Sequence, residues 1–115
     1  MKNDAVNIEK IRIYIFGSGL YKTQPRDIDL LVVYDTQKIS VQEVLALRNE
    51  LSKEVFFKFG VSAHICLLSA KEGEYQIFIA QEKAQKIFPT MPNNCIHQTA
   101  RSVAALMRQF MVGRW

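Results

Sequence analysis

An α/β domain, with a mixed sheet of at least three strands and helices packed on it, is the fold this sequence predicts. Runs of β-branched and aromatic residues end at turn residues, and one of them is apolar on both faces. Between the runs lie stretches in which apolar residues recur every three or four positions. Strands covered by helices on both sides account for both patterns.

Ile11-Arg12-Ile13-Tyr14-Ile15-Phe16 reads as the first strand, stopped by Gly17-Ser18-Gly19. A short polar connection over 19–26, with Pro25 near its end, leads to Asp27-Ile28-Asp29-Leu30-Leu31-Val32-Val33-Tyr34, whose later part suits a strand buried on both faces. Ser40 followed by Glu43 is a capping-box pattern. The helix it opens carries Val44, Leu47, Leu51, Val55 and Phe59 on one face and ends near Gly60.

Val61 to Leu68 reads as the third strand. Ser69 and Glu72 repeat the capping-box spacing, so a second helix is expected from Lys71 to about Lys86, with Tyr75, Phe78 and Ile79 inward and Gln81 and Glu82 nearer solvent. The segment 88–94, with two prolines and two asparagines, reads as a loop. Beyond it Ile96, Ala100, Val103, Met107 and Phe110 follow helical spacing, with Arg101, Arg108 and Gln109 off the stripe, which predicts an amphipathic helix over 95–112. The main domain is thus expected over residues 1–92 and a basic helix or tail over 93–115.

Composition narrows the classes of function. The 115 residues carry a formal charge of +4, and 49% are hydrophobic, the balance of an ordinary globular domain. Residues 1–82 hold ten Lys/Arg against eleven Asp/Glu, whereas residues 83–115 hold five Lys/Arg and no acid, so the basicity belongs to the tail. Arg101, Arg108 and Arg114 are spaced too widely for a dense stripe, which makes nucleic-acid binding a weak expectation and packing on the sheet or another subunit the stronger one. No apolar run approaches the roughly 20 residues of a membrane span, and two cysteines, Cys66 and Cys95, are too few for a disulfide framework. A cytoplasmic location is the expectation.

The chemistry concentrates in Phe16-Gly17-Ser18, an eight-residue spacer, and Asp27-Ile28-Asp29-Leu30. Strand side chains alternate, so Asp27 and Asp29 share a face about 7 Å apart along the strand. Two carboxylates on one face attract a hard divalent ion that keeps waters and substrate phosphates among its ligands. A glycine turn lets the backbone come close to anionic oxygens.

This constellation, a strand ending in Gly-Ser and then Asp-hydrophobic-Asp-hydrophobic, resembles the nucleotidyltransferases of the DNA polymerase beta-like superfamily, in particular its minimal stand-alone members. The likeness runs over roughly residues 11–69. It implies that Gly17 and Ser18 hold the β and γ phosphates of a nucleoside triphosphate, Ser18 by its hydroxyl and both by backbone N–H groups, and that Asp27 and Asp29 bind Mg²⁺ or Mn²⁺. Lys22 and Arg26 in the spacer would neutralise phosphate charge. The implied reaction moves a nucleoside monophosphate from ATP or another triphosphate to a hydroxyl on a protein side chain, an RNA end or a small molecule, with release of pyrophosphate.

Two departures stand out. The spacer is short, and the third carboxylate the family supplies on a later strand is replaced by His64, with no Asp or Glu between Glu54 and Glu72. A neutral imidazole can ligate a softer divalent ion or accept a proton, but it adds no negative charge. The alternatives are a working histidine, a swung-in Glu72 or Glu74, or loss of the catalytic metal. The last would leave a weakened nucleotidyltransferase-fold module acting as a regulatory or antitoxin-like subunit, with a protein partner or a second copy bound through the C-terminal helix. His64-Ile65-Cys66 and Cys95-Ile96-His97 could also be read as zinc ligands, but structural zinc pairs are usually spaced by two or more residues.

Overall fold

The computed structural model of the chain describes residues 11–22, 26–70, 74–88 and 96–111. Among these residues it is an α+β domain of four strands and three helices. The strands are β1 (Ile11–Phe16), β2 (Asp27–Tyr34), β3 (Ser62–Ser69) and β4 (Gln85–Phe88). The helices are α1 (Val41–Phe59), α2 (Glu74–Glu82) and α3 (Ile96–Met107), and a single 3₁₀ turn, Gly17–Leu20, follows β1. The sheet order is β3-β2-β1-β4. It is mixed: β2 pairs antiparallel with β1 and parallel with β3, and β4 adds antiparallel to the other edge of β1.

Alternation along β2 sends Ile28, Leu30 and Val32 to one face and Leu31 and Val33 to the other, and all five are buried. The first face meets α1 and α3. Val44, Leu47, Leu51 and Val55 from α1 and Ala100, Val103 and Met107 from α3 close a single core over Ile13, Ile15 and Ile87. On the opposite face Tyr14, Leu31 and Val33 are packed by Phe16, Leu68, Phe78, Ile79 and Ala84. Phe78 of α2 meets Phe16 edge to face, with ring centroids 4.9 Å apart.

Local chemistry sets the ends of α1. Ser40 Oγ accepts from the Glu43 N–H at 3.1 Å, while Glu43 Oε1 accepts from the Ser40 N–H at 3.1 Å. Gly60, at φ 74°, donates its N–H to Phe56 O at 2.8 Å and ends the helix in the left-handed region.

Two expected boundaries move. The helix expected from Lys71 to about Lys86 covers only Glu74–Glu82, and Gln85–Phe88 is a strand. Lys83 takes φ 53°, and the Ala84 N–H reaches back to Ile79 O at 3.0 Å, a reversal that turns the chain along the open edge of β1. Ladder bonds to β1 decide the conformation of Gln85–Phe88, which no local periodicity could announce. α3 ends at Met107 rather than 112, although a tightened turn carries the chain on, with the Phe110 and Met111 N–H groups both bonded to Met107 O. Phe88, expected to open the loop over 88–94, is instead the last residue of β4, and residues 89–94, like Glu72 and Cys95, lie outside the described residues. No helix among the described residues is long and apolar enough to cross a membrane.

Candidate functional site

The antiparallel register opposes Phe16 to Asp29, so the turn that begins at Gly17 folds back beside the start of β2. Gly17 sits at φ 75°, a conformation that L side chains rarely adopt. A Cβ there would run into the Asp29 carboxylate oxygen Oδ2. The missing side chain is therefore what lets the turn backbone lie against the carboxylate. Gly19 is buried over Ile15 and Ile28, which fixes the turn from its other side.

The parallel register opposes Asp29 to His64. His64 Nδ1 lies 3.6 Å from Asp29 Oδ1, too long for a hydrogen bond but close enough for charge to be felt. The two side chains differ in freedom: the Asp29 side chain is 26% exposed and held under the turn, whereas the His64 side chain is 76% exposed. Burial pushes the Asp29 carboxyl above its ordinary range; the neighbouring His64 opposes this, and the negative charges of Asp27 and Glu82 add to it. Three acids thus act on one spot. Cys66, a free exposed thiol two residues beyond His64, is pushed up by partial burial and by the charge of Asp29.

The chain matches no family model, no curated protein and no solved structure. What the site can do rests on its geometry and on the resemblance of its residues.

Of the residues singled out in the sequence, Gly17, Asp27, Asp29 and His64 come together at one end of the sheet. The Ser18 backbone belongs to the turn, and its side chain lies outside the description. Lys22 and Arg26 are exposed on either side of residues 23–25, which are also outside it. The side chains of Glu74 and His97 are not described either, and with Cys95 this leaves the second zinc pair untouched. Glu82 is the member that sequence reasoning missed. It reads as a solvated helix residue, and only the packing of α2 across the sheet brings its charge to Asp29.

Among the described residues no three His, Cys, Asp or Glu side chains form a ready metal cage. The donor chemistry fits an ion that arrives with other ligands: two carboxylates on one face, an imidazole beside the inner one, and a glycine cradle that a Cβ would fill. A separate groove of about 460 Å³, lined by Leu20, Tyr21, Lys83, Gln85, Gln109 and Phe110, borders the other end of the turn and contains none of these donors.

Proposed function

We propose that the chain is a nucleotidyltransferase that moves a nucleoside monophosphate from a nucleoside triphosphate, ATP first among candidates, to a hydroxyl acceptor, releasing pyrophosphate. The observation that carries the proposal is the seating of the Asp29 carboxylate against Gly17, with Asp27 one strand step away and His64 alongside. Anion-receiving turn and cation-binding carboxylates are then within one substrate's length, which is what a metal-bridged triphosphate needs.

Each residue has a task in this reading. The N–H groups of the turn from Gly17 receive phosphate oxygens, and Gly17 itself must lack a side chain so that phosphate and carboxylate approach from the same side. Asp27 and Asp29 hold the divalent ion. That ion, when bound, neutralises phosphate charge and orients the α phosphorus for in-line attack. Lys22 and Arg26 add positive charge at the entrance to the turn. His64, largely exposed beside Asp29, has two tasks open to it in this reading, ligand to the ion or acceptor of the hydroxyl proton, and one nitrogen cannot perform both.

The test is thermal unfolding with ATP, with and without Mg²⁺ or Mn²⁺, on the native chain and on the Asp27→Ala, Asp29→Ala double variant. A ligand at 100 times its dissociation constant stabilises by about 2.7 kcal/mol, a melting shift of several degrees for a domain of this size. A metal-dependent shift absent from the double variant supports the proposal, and no shift with any triphosphate overturns it.

A second reading is favoured by one observation, the imidazole beside Asp29 where a third carboxylate is expected. In it the chain keeps the fold and the triphosphate site but transfers nothing, and serves as a regulatory subunit. Transfer activity gained by His64→Asp supports this reading; activity present in the native chain and abolished by His64→Ala counts against it.

A further inference from the structure

We propose that Asp29 and His64 form a mixed oxygen–nitrogen clamp for a first-row transition ion, of which Mn²⁺ and Zn²⁺ are the physiological candidates, in preference to Mg²⁺. The geometry argues for it. Oδ1 of Asp29 and Nδ1 of His64 stand 3.6 Å apart, beyond hydrogen-bond length, with one residue half-buried against a turn and the other on the adjacent strand at the same register position. Mg²⁺ dehydrates reluctantly and keeps oxygen ligands, whereas an imidazole nitrogen is a donor that first-row transition ions accept more readily.

The surroundings supply what the pair lacks. A carboxylate–imidazole pair carries one negative charge when the imidazole is neutral. Asp27 lies on the same face of β2, and its negative charge and that of Glu82 act on Asp29 in the same direction. A cation between Asp29 and His64 would relieve all three carboxylates at once. The rival explanation is a solvent-exposed ion pair with no ligand. Such a pair contributes little and does not account for a carboxylate seated against a glycine whose Cβ it would exclude.

The proposal rests on the nucleotidyltransferase reading for what the ion does, not for where it binds, so its test uses metal ions alone. Mn²⁺ binding is followed by water-proton relaxation, with Mg²⁺ as competitor, on the native chain and on His64→Gln and His64→Asp. Because the His64 side chain is largely exposed, neither substitution disturbs the core. The chain has two histidines, so selective broadening of one imidazole by Mn²⁺, lost in His64→Gln, locates the ion. The expected result is a loss of about tenfold or more in Mn²⁺ affinity in His64→Gln, and a fall of similar size in the Mg²⁺ excess needed for displacement in His64→Asp. No binding of Mn²⁺ at millimolar concentration, or a displacement ratio indifferent to residue 64, overturns the proposal. A His64-dependent ratio in a protein whose melting ATP never shifts would sink the nucleotidyltransferase reading and leave the clamp standing; an ATP shift supported equally by Mg²⁺ and Mn²⁺, with no effect of residue 64, would do the reverse.

Discussion

The carboxylate of Asp29 occupies the space that a side chain on Gly17 would need. Gly17 opens the turn directly after Phe16, the β1 residue paired with Asp29, so the contact follows from the antiparallel register and not from a flexible loop closing over the site. Conformation and space are separate demands at Gly17, and a second glycine allows them to be separated.

Gly60 has almost the same φ, 74° against 75°, but a Cβ there meets nothing within 4 Å. Gly60→Ala therefore reports the left-handed strain alone, about 1–2 kcal/mol. Gly17→Ala is expected to cost more, because the Asp29 carboxylate must also move. In a double-mutant cycle by urea unfolding, Asp29→Ala should return Gly17→Ala to about the cost of Gly60→Ala. Equal costs for the two single substitutions, or no coupling between Gly17 and Asp29, would show that the carboxylate does not sit there.

Asp29 should make the protein less stable at neutral pH than its neutral counterpart. Its carboxyl is raised above the ordinary 3.8, chiefly by burial. Between that value and the raised one, the folded chain holds a proton that the unfolded chain has lost, so stability falls as pH rises through this window and the cost persists above it. Asp29→Asn should accordingly raise the melting temperature at pH 7, and the gain should disappear as pH falls below 3.8. A substitution that destabilises at pH 7 would mean that the link to His64 outweighs the burial of the charge.

How far the sequence could be read depended on whether the cause was local. α1 is legible to within a residue because Ser40, Glu43 and Gly60 cap it and five apolar residues mark its buried face. Strand β2 is legible because its later part, Leu30 to Val33, is apolar and buried on both faces. Matching the third strand to the resemblance singles out His64 but not its neighbour; that it stands beside Asp29 comes from the parallel register of β2 and β3. Strand β4 was missed because four residues gain strand character only by meeting β1. Glu82 was missed for a related reason: its influence on Asp29 is set by how α2 lies on Phe16 and the β2 apolar residues, a tertiary fact with no mark in its own neighbours.

The basic C-terminal helix is expected to matter to the fold before it matters to any partner. Met107 is fully buried in the core that α1 and the first sheet face share, while Arg101 and Arg108 are exposed. Met107→Ala should cost about 2–5 kcal/mol, whereas Arg108→Ala should stay within about 0.5 kcal/mol. Denaturant unfolding of the two variants measures the contrast, and a small cost at Met107 would mean that α3 detaches without consequence for the core.

Glu82 supplies the last prediction, in which two readouts move in ways a purely structural residue would not produce. Its charge helps to hold the Asp29 carboxyl high. Glu82→Gln should therefore lower the pH at which Asp29 titrates, observed through its carboxyl carbon resonance by NMR. Viewed from Asp29 alone, a more readily ionised carboxylate ought to bind cations better near its titration range. Well above that range the lost negative charge dominates instead, and Mn²⁺ affinity should fall. Because Glu82 is exposed, water and salt screen its contribution, so the fall should shrink as ionic strength rises. A lowered Asp29 titration together with a salt-sensitive loss of Mn²⁺ binding would make Glu82 a remote electrostatic contributor to the site. A salt-insensitive loss would instead mean that its carboxylate reaches the ion directly.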